Sequence, residues 1–391
     1  MALKSIISSV PISPAELQPR LPRLLELLQS LVELESPSDG KPAVDRCVDL
    51  AAGRAEFLGG RVRRHRQREF GDLLEVRFGR VGRSSKPVLL LGHLDTVWPL
   101  GTIGKMPFRM DKERVWGPGV LDMKAGVAMA FTAIEHLQER FGKLERPVAL
   151  LLVSDEEVGS PSSRSLTEKI ARECEAVYVL EPAQGLSPGA YKTARKGVGN
   201  YRVHVTGVAA HSGVDFEKGH SAIAELAYQI GMIQGFTDLQ HGITVNVGTV
   251  QGGTRSNVVA AEAWAEVDVR VARNADVARV ARRFQRLRVR DRACVLKVEG
   301  GLNRPPMERT QGTVALFKRA ATLARTMGFD LQEAATGGGS DGNFTSALGV
   351  PTLDGMGAVG EGAHATHESL LLEDLLPRTA LLAAMLMRPE G

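Results

Sequence analysis

The sequence predicts an α/β protein: a discontinuous larger domain with a mainly parallel, helix-covered sheet and an inserted α+β domain. Three observations predict this fold class. Buried-strand and helical patterns alternate in residues 86–182, half-exposed strands begin near Lys196, and helix and strand alternation resumes after Glu308. Strand, helix, strand order indicates parallel strands covered on both faces. The 391 residues also exceed the length at which a single core usually stops growing.

The first part of the chain opens with two helical patterns and continues with buried strands. Apolar residues recur at helical spacing in residues 14–34 and 42–58. The runs KPVLLLGH and PVALLLV are typical of buried strands, and KAGVAMAFTAIEHLQERF between them is typical of a helix. AVYVLEP continues the series as a further strand.

The middle part predicts a smaller domain. Four strand patterns and two helical patterns follow one another in β-α-β-β-α-β order, which is typical of a ferredoxin-like arrangement. The strands are NYRVHVTG, ITVNVGTV, AEAWAEVDVRVA and ACVLKVEG, and the helices cover 219–235 and 275–288. We therefore predict a domain of residues 196–308, inserted into a domain formed by residues 1–195 and 309–391.

Composition and charge argue against several classes of protein. No apolar run is long enough for a membrane span, and MALKSIISSVPISPAEL lacks the apolar core of a secretory signal, so we expect a cytoplasmic protein. Cys47, Cys174 and Cys294 are too widely spaced for a disulfide framework or a cysteine zinc site. The net charge of +4 resides partly in the clusters RVRRHRQR and RRFQRLRVRDR, which contain a single aromatic residue, Phe284, and are not interleaved with stacking aromatics. Nucleic acid is therefore not an expected partner.

Histidines and carboxylates follow several predicted strands of the larger domain, where open α/β sheets place their sites, and others lie in its Gly-rich loops. In chain order these are His93, Asp95, Asp122, Asp155, Glu156, Glu157, Glu181, His364 and His367. Each alone is explained by a solvated loop or a helix cap. Together they form the ligand set that a divalent cation such as Zn²⁺ prefers, and a shared metal site becomes the better explanation.

Five motifs in this order, GHLDTVWPLG, GPGVLDMKAG, SDEEVGS, LEPAQG and GAHATHE, resemble those of the M20 family of dizinc peptidases and deacylases. The glutamate carboxypeptidase group is the best match within that family. The resemblance begins near Ser36 and includes the inserted domain. It implies a catalytic domain in residues 1–195 and 309–391, and a lid and dimerisation domain in residues 196–308.

The resemblance implies two Zn²⁺ ions per subunit, with Co²⁺ or Mn²⁺ as alternatives. Asp122 is expected to bridge both ions and to be followed by a cis peptide. His93 and Glu157 are expected to complete the shell of the first ion. Glu181 and His364 are expected to bind the second ion.

The resemblance also assigns roles beside the ligands. Glu156 is the expected general base, and the Asp95 carboxylate is expected to fix the imidazole tautomer of His93. Asp155 is expected only to support its neighbours. His367 is expected to lie beside the last ligand without binding metal, because the family places a Glu a few residues after that ligand.

Five residues are expected to contact the substrate. His211 resembles a histidine that reaches across a dimer interface and stabilises the oxyanion in the partner's active site, which implies a homodimer. Asn257 and Arg270 are expected to hold the terminal carboxylate of the substrate, and the backbone amides of Gly338 and Gly339 to donate to it. A loop histidine without a role and a strand-surface charge are the alternatives for His211 and Arg270.

The activity that the resemblance implies is hydrolysis of the amide bond to a C-terminal amino acid, with glutamate as the precedent. A metal-bridging hydroxide and a glutamate general base would carry it out. An N-acyl-amino-acid deacylase is the alternative enzyme, and a metal-free binding or scaffold protein is the alternative of another class. The presence of all the expected ligands and the base disfavours the latter. The expected partner is a small peptide or an N-acyl amino acid, and no membrane is expected.

Overall fold

The computed structural model describes residues 12–79 and 86–388. The chain divides into two compact units. Unit 1 comprises Met1–Ala194, Arg309–Thr336 and Ser340–Gly391, and unit 2 comprises Arg195–Glu308 and Gly337–Gly339. The catalytic and lid roles predicted for the two domains stay predictions. Most of the segment on which the cytoplasmic location was predicted, residues 1–11, lies outside the described residues.

The first segment of unit 1 contains helices and strands in alternation, after a 3₁₀ turn at Pro14–Arg20. In chain order they are α1 (Leu21–Glu33), α2 (Lys41–Phe57), β1 (Arg61–His65), β2 (Leu73–Phe78), β3 (Val88–His93), β4 (Arg109–Met110), β5 (Arg114–Trp116), α3 (Ala125–Phe141), β6 (Val148–Val153), α4 (Arg164–Glu173), β7 (Ala176–Val179) and β8 (Ala190–Arg195). The predicted buried strands and the helix between them are confirmed.

Unit 2 has the predicted β-α-β-β-α-β order. Its elements are β9 (Gly197–Thr206), α5 (Ala222–Gln234), β10 (Thr244–Gly252), β11 (Glu262–Val271), α6 (Asn274–Gln285) and β12 (Val295–Arg304). The four strands form an antiparallel sheet in the order β10-β11-β9-β12. Its buried side chains pack against Leu226 of α5 and Phe284 of α6, so this unit has its own hydrophobic core.

The last segment returns to unit 1. Its elements are α7 (Gln311–Thr326), β13 (Gln332–Thr336), α8 (Gly342–Ala347), β14 (Thr352–Leu353), β15 (Gly360–Glu361), β16 (Ser369–Leu371) and α9 (Leu372–Leu386). Strand β14 pairs with β7 of the first segment and extends the large sheet. Within the described residues, no helix has both the length and the apolar character to cross a bilayer.

The large sheet of unit 1 has the order β1-β2-β6-β3-β7-β14. Strands β6, β3, β7 and β14 are parallel, whereas β1 and β2 form an antiparallel edge. Leu90 and Leu150 on one face join the core that contains α1, α3 and α9, and Leu91 and Leu151 on the other face pack with Ile170 of α4. The mainly parallel sheet covered by helices is thus confirmed. The carboxyl ends of its parallel strands lie together on one side of the sheet.

Candidate metal centre

The strand register places two candidate ligands side by side at the carboxyl ends of the parallel strands. His93 is the last residue of β3 and pairs with Val153, the last residue of β6. On the other side of β3, Leu91 pairs with Val179, the last residue of β7. Glu181 follows two residues later and therefore lies beside His93. The apolar strands thus fix where these two side chains meet.

Two further candidates come from loops. Asp122 precedes α3, and the peptide between Asp122 and Met123 is cis, as expected. His364 lies between β15 and β16 with φ at 64°, in the left-handed region that favours glycine. A non-glycine residue held in this region often lies at a functional site, which fits His364 as a candidate ligand.

Asp122 lies between the two histidines. Its Oδ1 is 3.3 Å from His93 Nε2, and its Oδ2 is 3.4 Å from His364 Nε2. The Nε2 atom of each histidine also lies close to one more carboxylate: Glu181 Oε1 is 3.6 Å from His93 Nε2, and Glu157 Oε2 is 3.1 Å from His364 Nε2. The four groups thus form two histidine–carboxylate pairs that share Asp122.

This pairing differs from the expected one, in which Glu157 joined His93 and Glu181 joined His364. The physical reason is the strand order, because β7 is a direct neighbour of β3 and brings Glu181 to His93. Glu157 lies in the short 3₁₀ turn Glu156–Val158 after β6 and reaches the C-terminal loop instead. One Glu157 oxygen still lies within 4.8 Å of ligand atoms of His93 and Asp122.

The donor set fits divalent cations. Nitrogen and oxygen ligands at ordinary zinc distances around a tetrahedral ion are about 3.4 Å apart, as follows from bond lengths of about 2.1 Å. The four histidine–carboxylate separations, 3.1 to 3.6 Å, are close to that value. The second oxygen of Glu157, Oε1, is buried and has no hydrogen-bond partner among the described residues. Such an oxygen is costly unless a cation compensates it.

The buried carboxylates of this site favour positive charge on the groups beside them. Burial disfavours a charged His93, but hydrogen bonds with Asp122 and other carboxylates outweigh it and raise the pKa of His93 well above its ordinary value. Hydrogen bonds to Asp122 and Glu157 raise the pKa of His364 to about 10. Burial raises the pKa of Glu157, whereas the histidines lower that of Asp122 against its own burial. Without metal, protons on the histidines supply the compensating charge.

Asp95 contacts His93 through its backbone carbonyl and its side chain, and the predicted role of its carboxylate stays a prediction. His93 Nδ1 lies 2.9 Å from the backbone carbonyl of Asp95, and 3.5 Å from the nearer oxygen of its carboxylate. Both oxygens favour a proton on Nδ1 and leave Nε2 facing Asp122. The Asp95 carboxylate accepts the N–H groups of Glu156 and Glu157 at 3.2 and 3.1 Å, and the Ser38 hydroxyl at 2.7 Å. It thus holds the turn that presents both glutamates.

The three consecutive acids after β6 diverge. A carboxylate oxygen of Glu156 lies within 4.8 Å of ligand atoms of His93 and Glu181. The Asp155 carboxylate turns to the other side, where its Oδ2 accepts the N–H groups of Ser162 and Ser163 ahead of α4. Asp155 therefore anchors the start of α4, and its predicted support of the neighbouring acids stays a prediction.

His364 and His367 have different surroundings. His364 meets Asp122 and Glu157, as described above, although half of its side chain is exposed. His367 is exposed as well. Within the described part of the chain, the carboxylate contacts of the site involve His364 and not His367. The groups of candidate ligand atoms that lie within 4.8 Å of one another contain His93 and neither of these two histidines. This geometry favours His364, and its role as ligand stays a prediction.

The candidate substrate residues lie in unit 2. His211 is exposed, and its Nδ1 accepts the N–H of Gly213 at 3.1 Å, so a neutral ring carries its proton on Nε2. Asn257 is exposed, and its backbone carbonyl accepts the N–H of Ser212. The backbone thus joins the His211 loop to the Asn257 loop. Their roles stay predictions.

Arg270 is already paired. Its Nε and Nη2 lie 3.0 and 2.9 Å from the carboxylate oxygens of Asp268, and its Nη1 donates to the carbonyl of Gly337 at 3.3 Å. The carbonyls of Gly338 and Gly339 both accept from Arg195 Nη1 at 3.2 Å. These contacts fix the Gly-rich segment in unit 2, and the predicted substrate contacts of Arg270, Gly338 and Gly339 stay predictions.

Two residues that shape the site are not among the site residues predicted from the sequence. Ser38 holds the Asp95 carboxylate, and Glu368 accepts backbone N–H groups of the Asp122 loop. Glu368 is visible in the sequence only as the acid four residues after His364. Ser38 lies in a loop and belongs to no sequence pattern, because its partner Asp95 is distant in the chain.

The chain is similar to known peptidases in sequence and in structure. Residues 89–388 match the model of peptidase family M20/M25/M40. Carboxypeptidase G2 of Pseudomonas sp. (strain RS-16) is 28% identical over 380 residues, which cover 95% of this chain and 90% of that protein. The aminopeptidase PepT of Bacillus cereus has a similar structure, with a TM-score of 0.76 at 22% identity over 93% of this chain and 97% of that chain. The M20 metallo-carboxypeptidase Sso-CP2 of Sulfolobus solfataricus gives 0.74 at 18% identity, over 93% and 98%.

Proposed function

Because the chain belongs to peptidase family M20/M25/M40 and is therefore a metal-dependent hydrolase, we propose that it is a dizinc carboxypeptidase. It releases a C-terminal amino acid, glutamate by preference, from a small peptide. The observation that carries this proposal is the position of Asp122, whose two carboxylate oxygens each face a different histidine Nε2 at 3.3 and 3.4 Å. A carboxylate so placed is suited to join two cations.

The pairing of side chains indicates how the ions would be held. His93 and Glu181 would bind one ion, His364 and Glu157 the other, and Asp122 both. When bound, the ions supply Lewis acidity, which lowers the pKa of a water molecule and polarises the carbonyl of the scissile amide. Co²⁺ and Mn²⁺ accept the same nitrogen and oxygen ligands.

Glu156 is the proposed general base. Its backbone N–H is held by Asp95, and its carboxylate is close to the ligands His93 and Glu181. From there it would accept the proton of the attacking water and deliver it to the nitrogen of the leaving amino acid. For His211, we propose that its Nε2–H group donates a hydrogen bond to the oxyanion of the tetrahedral intermediate in the partner's active site.

The proposed substrate carries a free terminal carboxylate. The carboxypeptidase among the relatives supports a substrate with a free terminal carboxylate, and Arg270 and Asn257 are the residues proposed to bind it. An arginine fork suits a carboxylate, although Asp268 now pairs with this one. Substitution of Arg270 by Gln should raise KM for such substrates while kcat changes less. An unchanged KM would remove Arg270 from the proposed binding site.

A homodimer through unit 2 is part of the proposal. Strand β10 is an edge of the unit 2 sheet, and its Val250 is 55% exposed, as are 48% and 47% of Ile223 and Met232 on α5. An unpaired edge beside exposed apolar side chains suits a second copy of the chain. Val250→Glu should yield monomers in sedimentation equilibrium. Val295→Glu, on the opposite edge strand at 65% exposure, is the matched control and should leave dimers.

A substrate panel tests the proposed activity. Dipeptides ending in glutamate, aspartate, leucine or lysine, and the N-acetyl forms of the same amino acids, are assayed after addition of Zn²⁺, Co²⁺ or Mn²⁺ to the chelator-treated protein. The proposal predicts the highest kcat/KM for peptides ending in glutamate. Preference for N-acetyl amino acids would make the protein a deacylase instead. No hydrolysis with any metal, in a protein that also binds no zinc, would favour a binding or scaffold role.

A further inference from the structure

Glu368 is a fully buried carboxylate that accepts four N–H groups. Its Oε1 accepts the backbone N–H groups of Leu121 and Asp122 at 2.9 and 3.1 Å. Its Oε2 accepts the backbone N–H of Gly119 at 2.9 Å and the indole N–H of Trp98 at 2.8 Å. Each oxygen thus has two donors, three of the four from the segment that carries Asp122.

Glu368 also belongs to the loop of the other candidate ligand. It follows His364 by four residues, and its own N–H donates to the carbonyl of Ala365 in the turn between them. The Ala365 N–H in turn bonds to the carbonyl of Gly362. A single side chain therefore connects the turn after His364 with the backbone of Asp122, two segments far apart in the sequence.

We propose that Glu368 is a positioning residue for metal binding, which sets the separation between the Asp122 and His364 loops before an ion arrives. The inference rests on the proposed dizinc site. Because Asp122 is the ligand proposed to join both ions, displacement of its backbone would disturb both. Residues that orient metal ligands typically contribute about 10-fold to 100-fold to metal affinity.

The chemistry of the four contacts requires a carboxylate. A glutamine at this position has one acceptor oxygen, and its amide nitrogen is a donor. In either amide orientation two of the four N–H groups would face that nitrogen without an acceptor. Unpaired buried donors are costly, so the loop that carries Asp122 is expected to move away in Glu368→Gln.

Unit 2 offers a matched control. Glu225 is also buried, with 3% exposure, and its carboxylate accepts the backbone N–H groups of Arg290 and Asp291 and the side-chain amide of Gln229. Glu225→Gln therefore makes the same chemical change in a similar setting within the other unit. A purely structural effect of losing such a carboxylate would reduce the thermal stability of both variants without changing metal affinity.

The experiment measures zinc affinity by competition with a chromophoric chelator, for the full-length metal-free protein and its variants. Circular dichroism establishes that each variant is folded, and Co²⁺ absorption spectra report the ligand geometry. We expect Glu368→Gln to bind zinc about 10-fold or more weakly than the unsubstituted protein, with an altered Co²⁺ spectrum. Glu225→Gln should retain the affinity and the spectrum. Trp98→Phe, which removes one donor only, should weaken zinc binding less.

Each outcome decides between the claims. A folded Glu368→Gln variant with unchanged affinity and spectrum overturns the inference, as does an equal loss of affinity in Glu225→Gln. If Glu368→Gln does not fold, Trp98→Phe decides, and an unchanged affinity in that variant overturns the inference. Failure of the unsubstituted protein to bind zinc would instead overturn the proposed function.

Discussion

Glu157 places Oε2 3.1 Å from His364 Nε2, while its Oε1 is buried without a hydrogen-bond partner among the described residues. A buried carboxylate is costly unless an opposite charge lies close to it. In the metal-free protein, that charge is a proton on the histidine, whose pKa is raised to about 10. A bound cation would take over this role.

Metal binding should release protons. The pKa of His93 and that of His364 are both raised, so both rings are protonated at neutral pH without metal and must lose their protons to bind it. Calorimetric zinc titrations at pH 7 in two buffers of different ionisation enthalpy should reveal the release of close to one proton for each histidine. Zinc affinity should fall as the pH is lowered. Zinc binding without proton release would contradict the assignment of these ligands.

The metal-free protein should become less stable as the pH rises into the alkaline range. The folded pKa of His364, about 10, lies above its value of 6.5 in the unfolded chain. The contribution of protonated His364 to the stability of the folded protein is therefore complete below pH 6.5 and is lost as the pH rises through about 10. Thermal unfolding should show a decline of Tm in the alkaline range that is smaller in His364→Gln. An identical decline in both proteins would mean that other groups cause it.

His364 and His367 form a matched pair for metal counting. His364→Ala removes a proposed ligand and should reduce the zinc content measured by mass spectrometry from two ions to one or fewer per subunit. His367→Ala should retain both ions, because its exposed ring lies outside the cluster. Exchange of these two results would assign the ligand to His367.

Glu156 should be required for turnover and not for metal. Its replacement by Gln removes the proposed base and should lower kcat by a factor of about 10² to 10⁴ while the zinc content remains unchanged. The adjacent Asp155→Asn is the control, since Asp155 contacts the serines ahead of α4 and should leave kcat nearly unaltered. Substantial turnover in Glu156→Gln would exclude it as the base, and loss of metal would make it a ligand.

The fold followed closely from the sequence where apolar runs dominate. VLLLGH and VALLLV are continuous apolar runs because both faces of their sheet are covered, and their ends placed His93 and the acids after Val153 at one edge. The antiparallel edge formed by β1 and β2 was not predicted. The charged cluster RVRRHRQR, which contains β1, indicates a solvated strand edge, but its charges do not reveal the strand with which it pairs or the direction of that pairing.

Details of the site were less predictable, because they depend on strand order and on backbone groups. The pairing of Glu181 with His93 follows from the adjacency of β7 and β3, which motif order does not reveal. The oxygen closest to His93 Nδ1 belongs to a backbone carbonyl, and every residue has one. The four contacts of Glu368 likewise involve mostly backbone donors, which leave no trace in residue types.

Anomalous X-ray scattering at the zinc absorption edge, from crystals of the zinc-loaded protein, tests the central claim most directly. We predict two anomalous peaks per subunit, one between His93 and Glu181 and one between His364 and Glu157, with Asp122 in contact with both. A single peak, or peaks located away from these side chains, would contradict the dizinc site on which the proposed activity depends.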